Sequence, residues 1–294
     1  MKRKYNVVDV IIITFLMILT LTCLIPILNT LAMSFSDKTS AALGQVTFYP
    51  VNFTTAAYVE MFQDNRFFTA FGVSVLRVLL GTTINLVLSI MMAYPLSKKP
   101  SEFRFRNVYM WILVFTMMFN GGLVPTFLVV NQMHLIDTIW ALVLPCAVNV
   151  FNTIILMNFY KEGIPNALEE AARVDGAGPW TILLRVIIPL AKPSIATIAL
   201  FSVVFHWNSF FDGKIYINSP LNQPLQTYIQ SLTVQVSPQT LASMTPDEII
   251  RKMEVSSITF NSAKAFVSMI PILAIYPFLQ KYFVTGIVMG AVKE

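Results

Sequence analysis

Residues 161–192 read KEGIPNALEEAARVDGAGPWTILLRVIIPLAK. Pro165 can open a helix. From there Asn166, Glu169, Glu170 and Arg173 form one polar stripe at i, i+3, i+4 and i+7, while Ile164, Ala167, Leu168, Ala171, Ala172 and Val174 fill the other side. Glu169 and Arg173 stand in the favourable acid-first order four residues apart, worth ~0.2–0.5 kcal/mol. Asp175-Gly176-Ala177-Gly178-Pro179 ends this helix and begins another, with Gly176 supplying a turn that a side chain would resist. Trp180, Leu183, Leu184 and Ile187 then face one way, and Pro189 turns the chain toward the next apolar segment. The result is two short amphipathic helices joined by a bend. One reading lays them on lipid headgroups. The stripe, however, holds two acids and one base where anionic lipid would favour Lys and Arg, which leaves a protein partner as the other reading. The low relief of Ala171 and Ala172 lets a helix or groove come close.

What surrounds this stretch is membrane sequence. The 294 residues are 56% apolar and 12% charged, about half the charge of a soluble protein. Crossing the hydrocarbon takes roughly 20 apolar residues of helix. Five segments meet this well, at about 10–33, 70–96, 107–130, 139–159 and 193–212, and a sixth at about 265–285 is interrupted by Pro271 and Pro277. The expected fold is an all-α polytopic bundle of about six transmembrane helices. The first segment reads better as a span than as a signal peptide, because Val10–Ser36 carries no charge and no cleavage site follows. Cys23 and Cys146 both lie in apolar segments and read as small buried hydrophobes.

The basic residues orient the bundle. Lys2, Arg3 and Lys4 precede span one; Lys98, Lys99, Arg104 and Arg106 join spans two and three; Lys161, Arg173, Arg185 and Lys192 join spans four and five; Lys281 and Lys293 flank the last. With six spans these fall on one side, which the positive-inside rule makes the cytoplasm, with both termini there. Outside lie 34–69 and the long segment 213–264, where Thr245-Pro246-Asp247-Glu248 looks like the start of a short helix running to about residue 256.

The run Ile164-Pro165-Asn166-Ala167-Leu168-Glu169-Glu170-Ala171-Ala172-Arg173-Val174-Asp175-Gly176-Ala177, followed by Ile188-Pro189, resembles the EAA loop of the membrane subunits of bacterial ABC importers. The similarity extends over most of the chain. It takes in Phe119-Asn120-Gly121-Gly122-Leu123-Val124-Pro125 and the ending Gly286-Ile287-Val288-Met289-Gly290-Ala291-Val292-Lys293, and it is strongest to the MalG-like permeases of carbohydrate uptake, especially those tied to oligosaccharides from plant or microbial polysaccharides. The resemblance implies a type I importer permease fold in the bacterial cytoplasmic membrane. It also implies the partners: a second homologous permease subunit, two ATP-binding subunits and an extracytoplasmic substrate-binding protein. In such systems the loop docks in a cleft of the ATPase, whose closure becomes rotation of the helix bundles. Glu169, Glu170, Ala171, Ala172, Arg173, Asp175, Gly176 and Pro189 would form the coupling element, the carboxylates pairing with bases on the ATPase or bracing the loop. The chain has no Gly-x-x-x-x-Gly-Lys-Ser/Thr phosphate loop, so ATP and Mg would be bound by the partner subunits and no cofactor by this one.

A path for sugars should mix amides, small residues and aromatics. Span three offers Phe115, Phe119, Asn120, Gly121 and Gly122, where the glycines should break or bend the helix beside protein or a wet cavity. Span five ends with Trp207, Asn208 and Phe211. Trp207 alone could equally anchor at the membrane interface. Asn85, Asn149 and Asn152 could be helix–helix contacts. Arg77 lies inside span two, costly at about 2.5–3.5 kcal/mol on insertion scales if central. It either snorkels outward or faces the cavity to meet an acidic sugar or the partner permease. His134 and His206, the only histidines, have no neighbouring acid or Cys cluster, so no metal site and no catalytic residue are expected. Two other classes stay open. An ion-coupled secondary transporter would want acids inside the spans, and the confident spans have them only at edges such as Asp212. A non-transporting scaffold would show no nucleotide-hydrolysing partner.

Overall fold

Residues 6–233 and 258–291 are described by a computed structural model, and every described element is helical. The helix expected at 245–256 lies outside the described residues. The chain divides into two compact units, Met1–Phe68 with Tyr228–Ile270 and Thr69–Thr227 with Pro271–Glu294.

In the first unit, α1 (Val7–Ser34) begins where the Asn6 N–H donates to Asp9 Oδ2 at 3.0 Å. Its apolar side chains from Val7 to Leu28 stay exposed on every side, which suits hydrocarbon rather than water. Cys23 is exposed with them, so it is not the buried residue the sequence suggested. Thr20, Thr22 and Thr30 donate their hydroxyls to carbonyls four residues earlier, which leaves no polar group facing lipid unpaired at those points. Next come α2 (Lys38–Ala42), capped by the Asp37 carboxylate, and α3 (Ala56–Gln63). Asp64 follows, and it accepts hydrogen bonds from the buried Lys264 ammonium and from the Tyr228 hydroxyl.

α4 (Asn65–Ser97) is a 33-residue helix, about 50 Å long at 1.5 Å per residue, more than enough to cross a bilayer. The next three expected spans are not straight helices. Span three breaks into α5 (Arg106–Met118) and α6 (Leu123–Gln132), inclined at 113°. The break sits at Asn120-Gly121-Gly122, with Gly122 at φ +90°, a conformation few residues with a Cβ adopt. Span four is α7 (Ile139–Val143), a 3-10 turn at Leu144–Cys146 containing Pro145, and α8 (Val150–Gly163), bent by 47°. Asn149 caps α8 by accepting from the Asn152 N–H at 3.1 Å. α9 (Asn166–Val174), α10 (Pro179–Ile182), a π turn at Leu183–Ile187 and α11 (Ile188–Leu190) form the elbow. The chain then turns by 81° into α12 (Lys192–Asn208).

α13 (Phe211–Tyr216), α14 (Leu225–Thr233) and α15 (Ile258–Ala291) are the remaining described helices. α15 runs continuously through Pro271 and Pro277, longer than the interrupted 265–285 segment expected. Among the described residues three helices are long and apolar enough to cross a membrane, or up to six if each bent pair is one span. The core of the second unit lies where α4, α5, α8, the elbow and α12 meet, around Ala93, Leu96, Leu113, Leu156, Ile187 and Ile198.

Candidate functional site

The elbow is built by proline and glycine. Pro165 stands at the N-cap of α9 in an extended conformation, and α9 ends at Asp175. Gly176 follows at φ +81° and redirects the backbone into Gly178, whose extended conformation starts α10 with Pro179 in its first turn. Pro189 does not make the turn toward α12. It lies inside α11, just after the π turn, where its missing N–H suits a locally widened helix. The 81° turn falls at Ala191, immediately before Lys192-Pro193.

α9 presents its faces differently from the sequence pattern. Glu169 is buried at 9% exposure, whereas Leu168 at 44% and Val174 at 88% face outward, as does Trp180 on α10. Electrostatics explains the inversion. The Glu169 carboxylate pairs with the Lys98 ammonium at the end of α4, and Arg173 Nη2 is 3.8 Å away. Arg173 itself donates to Glu102 Oε2 at 3.0 Å, and this hydrogen bond raises its pKa further above the usual guanidinium range. Two cross-ties therefore join α9 to the loop between α4 and α5, the largely buried Glu169–Lys98 pair and the exposed Arg173–Glu102 pair. That loop is also held by Arg106, which donates to the Leu96 carbonyl at 2.8 Å. The pairing with Lys98 and Glu102 was not visible in the sequence, because it joins segments 71 residues apart. Between loop and elbow is a cavity of about 310 Å3, lined among others by Lys99, Lys161, Glu170 and Tyr160. Glu170, Ala171 and Asp175 are exposed and Ala172 is half-buried, so the outward surface of the elbow mixes apolar and charged groups of both signs.

The second predicted group does not come together as one site. At the α5–α6 break, Phe115 and Phe119 stack at 5.3 Å and both are exposed. Asn120 Oδ1 accepts from the Gly122 N–H at 2.9 Å, and Asn120, Gly121 and Gly122 are all exposed. Asn208 and Phe211 are exposed as well. Trp207, by contrast, is buried at 4% exposure and meets Phe71 edge to face at 5.6 Å, so it neither anchors at an interface nor opens to a path in this chain. Arg77 is fully buried. It pairs with Asp212 through both terminal nitrogens and donates to the Ser209 carbonyl at 3.2 Å. It neither snorkels outward nor offers a free cation to a ligand, because Asp212 at the end of span five neutralises its charge, although its Nε has no hydrogen-bond partner among the described residues. Asn85, Asn152 and Ser202 form a buried network across α4, α8 and α12, with Ser202 Oγ donating to Asn85 Oδ1 at 2.7 Å. Among the described residues no His, Cys, Asp and Glu cluster could hold a metal.

Comparison with known proteins matches residues 85–289 to the family described as binding-protein-dependent transport system inner membrane component. The chain is 36% identical over 297 aligned positions to the polygalacturonan/rhamnogalacturonan transport system permease protein YtcP of Bacillus subtilis, covering 99% of each. It is 38% identical to Protein LplC of the same organism, covering 92% of this chain and 89% of that one. A chain from the crystal structure of a bacterial ABC transporter that imports the acidic polysaccharide alginate superposes with a TM-score of 0.83 at 32% identity, over 96% of this chain and all of that one. The matched residues 85–289 include this chain's elbow together with Lys98 and Glu102. The chain belongs to the family of binding-protein-dependent transport system inner membrane components and is a permease subunit of an ABC importer, a translocating rather than a catalytic chain.

Proposed function

We propose that this subunit forms half of the membrane path for an oligosaccharide and that the elbow from Asn166 to Leu190 receives the stroke of a separate ATPase. The observation that carries the reading is the elbow itself. Leu168, Val174 and Trp180 stand exposed beside Glu170 and Asp175 on a helix pair that the buried Glu169 and its neighbour Arg173 tie to the loop after α4. An exposed apolar patch rimmed by charge suits a protein groove, and the ties would carry its displacement into the bundle.

The partners on this reading are a second, homologous permease subunit, two ATP-binding subunits that hold ATP and Mg, and an extracytoplasmic substrate-binding protein. Both termini, the loop after α4 and the elbow lie in the cytoplasm, in keeping with the Lys and Arg bias and with the contacts that join these two loops. The relative that transports polygalacturonan and rhamnogalacturonan, and the alginate importer, support an oligosaccharide from an acidic polysaccharide as cargo. The exposed Phe115, Phe119, Asn120, Gly121, Gly122, Asn208 and Phe211 are the wall this chain offers to such a cargo. The test is ATP hydrolysis by the reconstituted complex. Binding protein loaded with galacturonate or rhamnogalacturonan oligosaccharides should stimulate hydrolysis severalfold over empty binding protein. Equal rates with and without every oligosaccharide would overturn the cargo assignment.

A further inference from the structure

A second cavity, of about 320 Å3, lies within the second unit, walled by residues of α4, α5, the α7–α8 bend and α12. Its polar lining includes Asn85, Asn149, Ser202 and His206, and its apolar lining includes Phe151 and Phe205. Asn85 is fixed there: its Nδ2 donates to the Ala147 carbonyl at 3.2 Å, and its Oδ1 accepts from Ser202 and Asn152. His206 is only 2% exposed, and its Nδ1 has no hydrogen-bond partner among the described residues. A Cβ on residue 81 would overlap the His206 ring, so Gly81 is what lets α4 and α12 close around it. No Asp, Glu, Lys or Arg lines the cavity, and the buried Arg77 is already neutralised by Asp212.

Asn85 and Ser202 are bonded to each other and shape the wall, while the Asn149 amide and the His206 imidazole nitrogen are groups that pair with hydroxyls, and phenyl faces suit the C–H face of a sugar ring. A carboxylate entering the same space would lose its hydration with no cation to compensate. We infer that this cavity is a subsite for one uncharged pyranose unit of the passing saccharide and that it disfavours a uronate ring. The inference rests on the carbohydrate reading above and adds to it the residues and the kind of sugar unit. Among acidic saccharides, one that carries neutral rings between its uronates, as rhamnogalacturonan does, can seat a ring here, and a pure oligouronate seats one less well.

Cys146 lines the cavity and supplies the probe. The chain's other cysteine, Cys23, is removed as C23A. In the complete importer in nanodiscs, Cys146 is modified with 2-aminoethyl methanethiosulfonate during turnover and followed by mass spectrometry of this chain. Rhamnogalacturonan fragments, which carry neutral rings, should slow modification at least threefold, and oligogalacturonate should slow it less. In S202A the protection should shrink. Protection by oligogalacturonate equal to or above that by rhamnogalacturonan would overturn the neutral-ring preference. An unchanged rate with a saccharide that stimulates ATP hydrolysis would overturn the subsite while leaving the importer reading intact. Stimulation by neither saccharide would overturn the carbohydrate reading and this inference with it.

Discussion

The carboxylate of Glu169 on α9 is ion-paired with Lys98 at the end of α4 and lies at 13% or less side-chain exposure with it. The acid is therefore an internal brace, and Glu170 beside it is the one left exposed. Glu169→Gln should cost about 1–3 kcal/mol, because it leaves Lys98 partly buried without its counter-charge. Thermal unfolding of the purified complex should begin at lower temperature, and uptake should fall, while Glu170→Gln leaves the unfolding temperature unchanged and alters only ATPase coupling. Equal melting losses in both variants would contradict this division of labour.

Gly176, at φ +81°, sets the angle between α9 and α10 with open space around its α-carbon. The cost of a side chain there is conformational rather than steric contact, about 1–2 kcal/mol for an ordinary L-residue and less for Asn. Uptake should rank wild type above Gly176→Asn above Gly176→Ala, with membrane assembly retained in all three. The reverse order of the two variants would remove the backbone argument.

For Arg77, the side chain is fully buried, and its partner Asp212 is partly buried at 16% side-chain exposure. Breaking such a pair from one side costs about 3–5 kcal/mol, and replacing both partners with apolar residues costs far less. Arg77→Met should sharply reduce the folded protein recovered from membranes, and R77M/D212L should restore much of it. If Arg77 instead met the cargo, Arg77→Met would assemble normally and lose only transport, which a detergent-stability assay would reveal at once.

In the first unit, Asp64 ties Lys264 and Tyr228 together, and three aromatic rings surround the ammonium, with that of Phe260 at 3.9 Å. Burial pushes the Asp64 carboxyl up, but the bonds from Lys264 and Tyr228 outweigh it and hold the group below the usual carboxylate range. A depressed carboxylate contributes its stability above its unfolded pKa of about 3.9 and loses it only as pH falls through the lower folded value. The melting deficit of Asp64→Asn should therefore be the same at pH 5 and pH 7.5. A deficit that vanishes at pH 5 would contradict the ionised pair.

The bundle was legible in the sequence because long apolar runs admit little else, and the elbow because Pro165, Gly176 and Pro179 punctuate it. The glycines at 121–122 announced a break, though not its 113° size, which depends on what α6 packs against. The facing of α9 departs from its sequence pattern for a physical reason. Amphipathic patterning assumes that charged residues face water, and Glu169 is turned inward by a cation 71 positions earlier. The same holds for Arg77, whose Asp212 partner is 135 positions away. Local pattern carries no information about such pairs. Pro189 does not mark a bend, because a proline can be housed beside a π turn as well.

The central claim is that the elbow is the ATPase seat. It is tested most directly by a photocrosslinker attached to a cysteine placed at Glu170 in the C23A/C146A importer, illuminated in native membranes. The account predicts an adduct with the nucleotide-hydrolysing subunit whose yield changes between nucleotide-free and ATP-trapped states. Adducts with lipid alone, in cells that still take up the oligosaccharide, would contradict it.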